Sequence, residues 1–106
     1  MGTDALMQDV EARVLRVAAD CLGRERDGVA PGDRLVADLG ASSVDLIDLA
    51  FRLEREFEVV LDLLAWASRQ SPHLPPAELR EALTLRQVFE AVWERLAAGA
   101  APRPAS

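Results

Sequence analysis

The stretch Asp38-Leu39-Gly40-Ala41-Ser42-Ser43-Val44-Asp45-Leu46-Ile47-Asp48-Leu49 decides the fold, because a glycine-bearing loop gives way within it to a helical pattern. Ser42-Ser43-Val44-Asp45 reads as a capping box. The Ser42 hydroxyl accepts a hydrogen bond from an amide of the first turn, and Asp45 sits against the positive end of the helix dipole. Two apolar stripes follow. Leu46, Ala50, Leu53 and Phe57 recur at spacings of 4, 3 and 4 and are assigned to a core; Val44, Ile47 and Phe51 recur at 3 and 4 and are expected on an exposed surface.

Working outward, the periodicity predicts helices on both sides. Leu6, Val10, Val14, Val17 and Cys21 form one stripe of a first helix from Thr3 to Leu22, with Thr3 as its cap and Gly23 as its stop. Residues 23–41 hold four glycines and a proline and are expected as an ordered loop pinned by Val29, Leu35, Val36 and Leu39. Residues 59–70 should start extended and turn into a short helix before Ser71-Pro72, and Pro75-Pro76 should open another through Leu83. Thr84-Leu85-Arg86-Gln87 is a second capping box, followed by Leu85, Val88, Val92 and Leu96 on a last helix that stops near Gly99. The expected architecture is all-α: one domain over residues 1–99, a small bundle with an extra short helix before the last one, and a disordered tail at 100–106.

Composition narrows the function. The chain has 106 residues, half of them apolar, enough for one small core. Its 12 basic residues are all arginine, and against 18 acids they leave a net charge of −6, which argues against a nucleic-acid partner. No apolar run approaches the roughly 20 residues that span a bilayer, and the acidic Met1-Gly2-Thr3-Asp4 start is unlike a signal sequence, so a cytoplasmic location is expected. The acidity is concentrated: residues 38–62 alone carry −5. An acidic helix with an apolar stripe suits docking on a basic, partly apolar partner, although a charge run by itself is more often a solvated face.

Several chemistries are disfavoured. A serine hydrolase needs a base beside its nucleophile, and the only histidine, His73, lies in a proline-flanked segment expected at the surface. Cys21, on the apolar stripe of the first helix, is expected to be a buried, inert thiol. The carboxylates of 33–48 do not follow calcium-loop spacing, so no metal site is expected. Trp66 and Trp93 read first as core residues, Trp93 being supported by Phe89 one turn before it. A serine at a helix start is well placed to carry a phosphate ester, since the free amides there favour an anion. On capping alone, Ser42 and Ser43 are better explained as ordinary caps.

The segment 38–49 resembles the acyl carrier protein signature, in which Asp-Leu-Gly is followed after two residues by a modified serine, an aliphatic residue and Asp. Ser43 occupies the modified position. Leu-Glu-Arg-Glu-Phe at 53–57 is similar to the end of that family's second helix and Leu83-Thr84-Leu85-Arg86-Gln87-Val88 to the start of its last, so the likeness covers about residues 5–97. It implies a four-helix bundle carrying acyl thioesters on a 4'-phosphopantetheine arm, attached to Ser43 from coenzyme A by a separate magnesium-dependent phosphopantetheinyl transferase. It also implies acyl-loading and acyl-transfer or condensing enzymes as partners. The chain would be a monomeric carrier and their substrate rather than an enzyme. The partner-recognition face would comprise Val44, Asp45, Ile47, Asp48, Phe51 and Glu54. Leu46, Ala50, Leu53, Phe57, Trp66, Val88 and Val92 are the candidates to line an acyl cavity.

Three departures from the signature stand out. Ser42 replaces the usual Asp before the modified serine, removing a charge beside the attachment point. Arg52 and Arg55 interrupt the acidic helix, within local pairing distance of Asp48, Glu56 or Glu58. The 26 residues between Phe57 and Thr84 exceed those of an ordinary fatty-acid carrier; with Trp66 nine residues after Phe57, the segment is similar to carriers that deliver very long acyl chains to lipid A. The extra segment either widens a cargo pocket or simply completes the core. An aminoacyl or polyketide carrier, or an unmodified helical adaptor, are the alternative functions.

Overall fold

The computed structural model describes residues 2–98, with side chains from residue 4 onward. The proposed tail and the stop at Gly99 lie outside the described residues. Helix α1 runs Gly2–Cys21, so Thr3 lies within it rather than capping it. Val10, Val14 and Val17 are buried as their spacing predicts, but Leu6 is 53% exposed; in the first turns it is Met7, half-buried, that packs against the core instead. Gly23 ends the helix at φ 68°, a left-handed conformation that a Cβ would strain. The Arg24 and Gly23 amides then close back on the Ala19 and Asp20 carbonyls at 2.8 and 3.4 Å.

The loop that follows is ordered by burial of Val29, Leu35 and Leu39, with Val36 half-buried. It contains a 3-10 turn at Arg26–Gly28 and is tied to the far end of the chain. The Leu35 amide donates to the Leu83 carbonyl at 2.9 Å, the Leu85 amide to Asp33 at 3.0 Å and the Arg86 amide to Pro31 at 2.7 Å. These bonds surround a single antiparallel bridge between Arg34 and Thr84.

Helix α2 spans Ser43–Phe57, α3 Leu63–Gln70, α4 Pro76–Ala82 and α5 Leu85–Ala97. Each start has a local cause. Ser42 and Thr84 form capping boxes with Asp45 and Gln87, the Asp62 carboxylate accepts from the Ala65 amide at 3.0 Å, and Pro76 supplies the restricted first residue of α4. Helix α1 packs against both α2 and α5, and α3 against α4 and α5. The fold is all-α, with the additional short helix before the last one, as expected.

Along α2 the two stripes separate. Leu46, Leu53 and Phe57 are buried and Ala50 is half-buried, while Val44, Ile47 and Phe51 are 73, 57 and 59% exposed. Leu49, in neither stripe, is also buried, which widens the core face. Local pairing of the arginines is half realised: Arg52 meets Asp48 at 2.9 Å, one turn away. Glu56 instead turns to α1, where it accepts from Arg13 at 2.8 Å and Arg16 at 3.0 Å. It lies one turn from the fully buried Leu53 and therefore flanks the face that α1 covers. The Arg13 guanidinium also stacks 4.5 Å over the Phe57 ring, tying the end of α2 to α1.

Truncating Leu53, which has no exposed surface, to alanine should cost about 2–5 kcal/mol. Ile47→Ala should stay within about 0.5 kcal/mol; urea titrations of the two variants should separate them clearly. The hydrogen bond from Arg13, joined by Arg16, holds the Glu56 carboxyl below the usual glutamate range. As pH falls, the unfolded glutamate takes up its proton first. The stabilisation is therefore complete above the ordinary glutamate range and is lost as pH drops through the lowered folded value. Glu56→Gln should flatten that acid limb, read as a smaller difference in urea midpoint between neutral and acidic buffer.

Candidate functional site

The site is built from the loop-to-helix junction. Gly40 turns the chain at φ 73°, and the Ala41 amide is held by the Leu35 carbonyl at 2.9 Å. The chain then enters α2 through reciprocal bonds: the Asp45 amide donates to Ser42 Oγ at 3.1 Å, and the Ser42 amide donates to Asp45 Oδ2 at 2.9 Å. Ser42 thus spends its hydroxyl on the cap. Ser43, the first residue of α2, is exposed and stands outside that exchange.

Beside Ser43 opens a cavity of about 430 Å³. Helix α2 supplies one wall through Ser43, Leu46, Ile47, Ala50 and Phe51. Residues 60–64 supply the other, with Arg80 and Leu83 completing it from α4 and its end. Of the residues proposed from sequence to line an acyl cavity, the structure brings Leu46 and Ala50 to this space. Leu53, Phe57, Val88 and Val92 are instead buried in the closed core. Trp66 is 6% exposed and borders a smaller cavity with Ala91, Arg69 and Arg95; its indole Nε1 is buried without a hydrogen-bond partner.

Of the residues proposed as a recognition face, Val44, Ile47 and Phe51 are exposed, whereas the three carboxylates are engaged with different neighbours. Asp45 holds the cap. Asp48 accepts from Arg52 at 2.9 Å and from the Cys21 thiol at 3.5 Å. Glu54, only half-exposed, accepts from the Leu61 amide at 2.8 Å. The contact of Glu54 fastens the second wall of the cavity to α2. The fully outward groups are apolar, and Val60 and Leu64, 55 and 37% exposed, extend Ile47 and Phe51 across the cavity mouth.

The added segment, expected either to widen a cargo pocket or to complete the core, does some of each: residues 60–64 line the cavity while Trp66 and Ala67 are buried, and Arg80 and Leu83 are lining residues that the sequence did not single out. No local pattern marks a contact between helices that are separated by thirty residues of chain. His73 is exposed, as expected. Cys21 is half-buried rather than buried, its thiol also approaching the Asp45 carbonyl at 3.7 Å. No helix among the described residues is long and apolar enough to cross a membrane.

Residues 12–67, slightly more than half of the chain, match the family model described as phosphopantetheine attachment site. The match takes in Ser43, all of α2 and the wall at 60–64, and ends before α4.

Desolvation, reinforced by the Asp48 carboxylate, pushes the Cys21 thiol up to about 11 from its ordinary 9.0. A thiolate is the reactive form, so folded protein in mildly alkaline buffer should react with a thiol reagent about a hundredfold more slowly than protein unfolded in urea. Equal rates would show that the thiol is open to solvent.

Proposed function

Since the chain belongs to the phosphopantetheine attachment family, whose covalent group is 4'-phosphopantetheine, we propose that it is an acyl carrier protein with Ser43 as its attachment residue. One observation carries this reading: an exposed serine, free of the cap, at the first position of a helix and on the rim of an apolar cavity. Ser43 Oγ bonds to the phosphorus of coenzyme A's pyrophosphate that carries the pantetheine. The bond to adenosine 3',5'-bisphosphate breaks, and the hydroxyl proton passes to the separate, magnesium-dependent transferase. The first-turn amides of α2 not used by the cap suit the charge of the resulting phosphodiester. Once attached, the group supplies a thiol on a flexible arm that holds an acyl group as a thioester.

The chain's own residues do three things in this scheme. Ser42 and Asp45 fix the helix start, so that Ser43 stays exposed. Leu46, Ala50 and the wall at 60–64 offer apolar surface to a chain folded back from the arm, which favours fatty-acid or specialised lipid biosynthesis over aminoacyl cargo. Val44, Ile47 and Phe51 offer apolar contact to the enzymes that modify the carrier and load or unload its cargo, with Asp48 and Glu54 beside them as recognition residues. The protein acts as substrate and shuttle, not as catalyst.

Incubation with coenzyme A, magnesium and a broad-specificity phosphopantetheinyl transferase should add one phosphopantetheine by intact mass. Ser43→Ala should abolish the addition while remaining folded. Ser42→Ala should retain the attachment and lose about 1 kcal/mol of stability with its cap. Folded wild type that stays unmodified with several transferases would favour the unmodified adaptor.

A further inference from the structure

The wall of the cavity contains one cation. Arg80, on α4, is half-buried, and among the described residues it forms no ion pair and no hydrogen bond, whereas Arg13, Arg16, Arg34 and Arg52 all have carboxylate partners. The carboxylate among the lining residues, Asp62, accepts from the Ala65 amide as the cap of α3 and forms no ion pair with Arg80. Everything else around the cavity apart from Ser43 is apolar. An alkyl chain laid into this space takes water from the guanidinium and returns nothing to it, a cost that an anion removes by pairing with it. A carboxylate suits the planar fork of arginine, which can donate two parallel hydrogen bonds.

We infer that the cargo of this carrier is an acyl group bearing a second carboxylate, and that Arg80 is the residue that selects it within the cavity between α2 and α3. The inference rests on the carrier reading above. Helix α4, which carries this cation, lies beyond the residues matched by the family model. The phosphodiester of the arm is the other anion near the cavity. It has the first-turn amides of α2 at hand, because the cap uses the amide of Asp45 and leaves those of Ser43 and Val44.

The test loads the full chain with the transferase from paired acyl-coenzyme A donors of equal carbon count: hexanoyl and adipyl, octanoyl and suberyl, decanoyl and sebacyl. Tm is then compared across apo, holo and loaded forms of wild type, Arg80→Met and Arg80→Lys. In at least one pair the carboxylated cargo should raise Tm above its plain partner by about 4 °C or more. Arg80→Met, which keeps an apolar stem, should erase that difference without changing the apo Tm, and Arg80→Lys should restore part of it. Plain chains that stabilise wild type as well as or better than carboxylated ones in every pair overturn the inference, leaving Arg80 as a stem lying over the groove with its charge in water. A loss in Arg80→Met that is already complete at the holo stage also overturns it, assigning the cation to the phosphodiester. Failure of any donor to label Ser43 is seen by mass before Tm is measured and removes the carrier reading, with this inference following it.

Discussion

Two hydrogen bonds between Ser42 and Asp45 settle the register of everything downstream. Their energy is modest, about 1 kcal/mol for a cap of this kind. Their position matters more, because each residue of an α-helix turns the chain by about 100°. Beginning α2 one residue earlier or later would turn Leu46, Leu49 and Leu53 away from the core and rotate Val44, Ile47 and Phe51 out of their outward position. It would also change which serine is free, since one hydroxyl is consumed by the cap and the next is not. Glu56, Arg13 and Phe57 perform the complementary task at the other end of α2. The start of α2 is therefore fixed by its own cap and its end by α1, with the cavity running along the side of the helix.

The helices were legible in the sequence because their signals are local. Both capping boxes, the prolines before α4 and the 3- and 4-residue spacings each involve residues within a turn or two of one another. The separation of Leu46, Leu53 and Phe57 from Val44, Ile47 and Phe51 follows from spacing alone. Where expectation and structure differ, tertiary context decides. Leu6 has the right spacing but nothing to pack on; Glu56 has nearby arginines on its own helix but finds better-placed ones on α1. Leu49 fell between two neat stripes, although the buried face of α2 is wider than either.

The cavity was the least legible part, for a related reason. Its floor could be named from α2, giving Leu46 and Ala50, but its opposite wall depends on how residues 58–62 cross back. That crossing is set by Glu58 in a left-handed conformation, φ 55°, and by the grip of Glu54 on the Leu61 amide. Neither is readable from periodicity. Equally, Leu53, Val88 and Val92 are apolar at helical spacing whether they line a cavity or fill a core, and only packing distinguishes the two. The serine motif carried far more information than its length, because one exposed hydroxyl at a helix start is both locally specified and chemically singular.

The backbone clasp between residues 31–35 and 83–86 has a consequence for how the chain assembles. Its contacts join segments about fifty residues apart, so closing it is entropically costly until α1, α2 and α5 have already met. The loop before Ser43 is then expected to order late in folding and to be released first in partial opening, independently of the helices around it. Amide exchange at Leu35 and Leu85 would follow that opening and not global unfolding. The segment that presents the serine is in this sense a separable unit of the fold, fastened to the last helix by main-chain hydrogen bonds and a few buried aliphatic anchors.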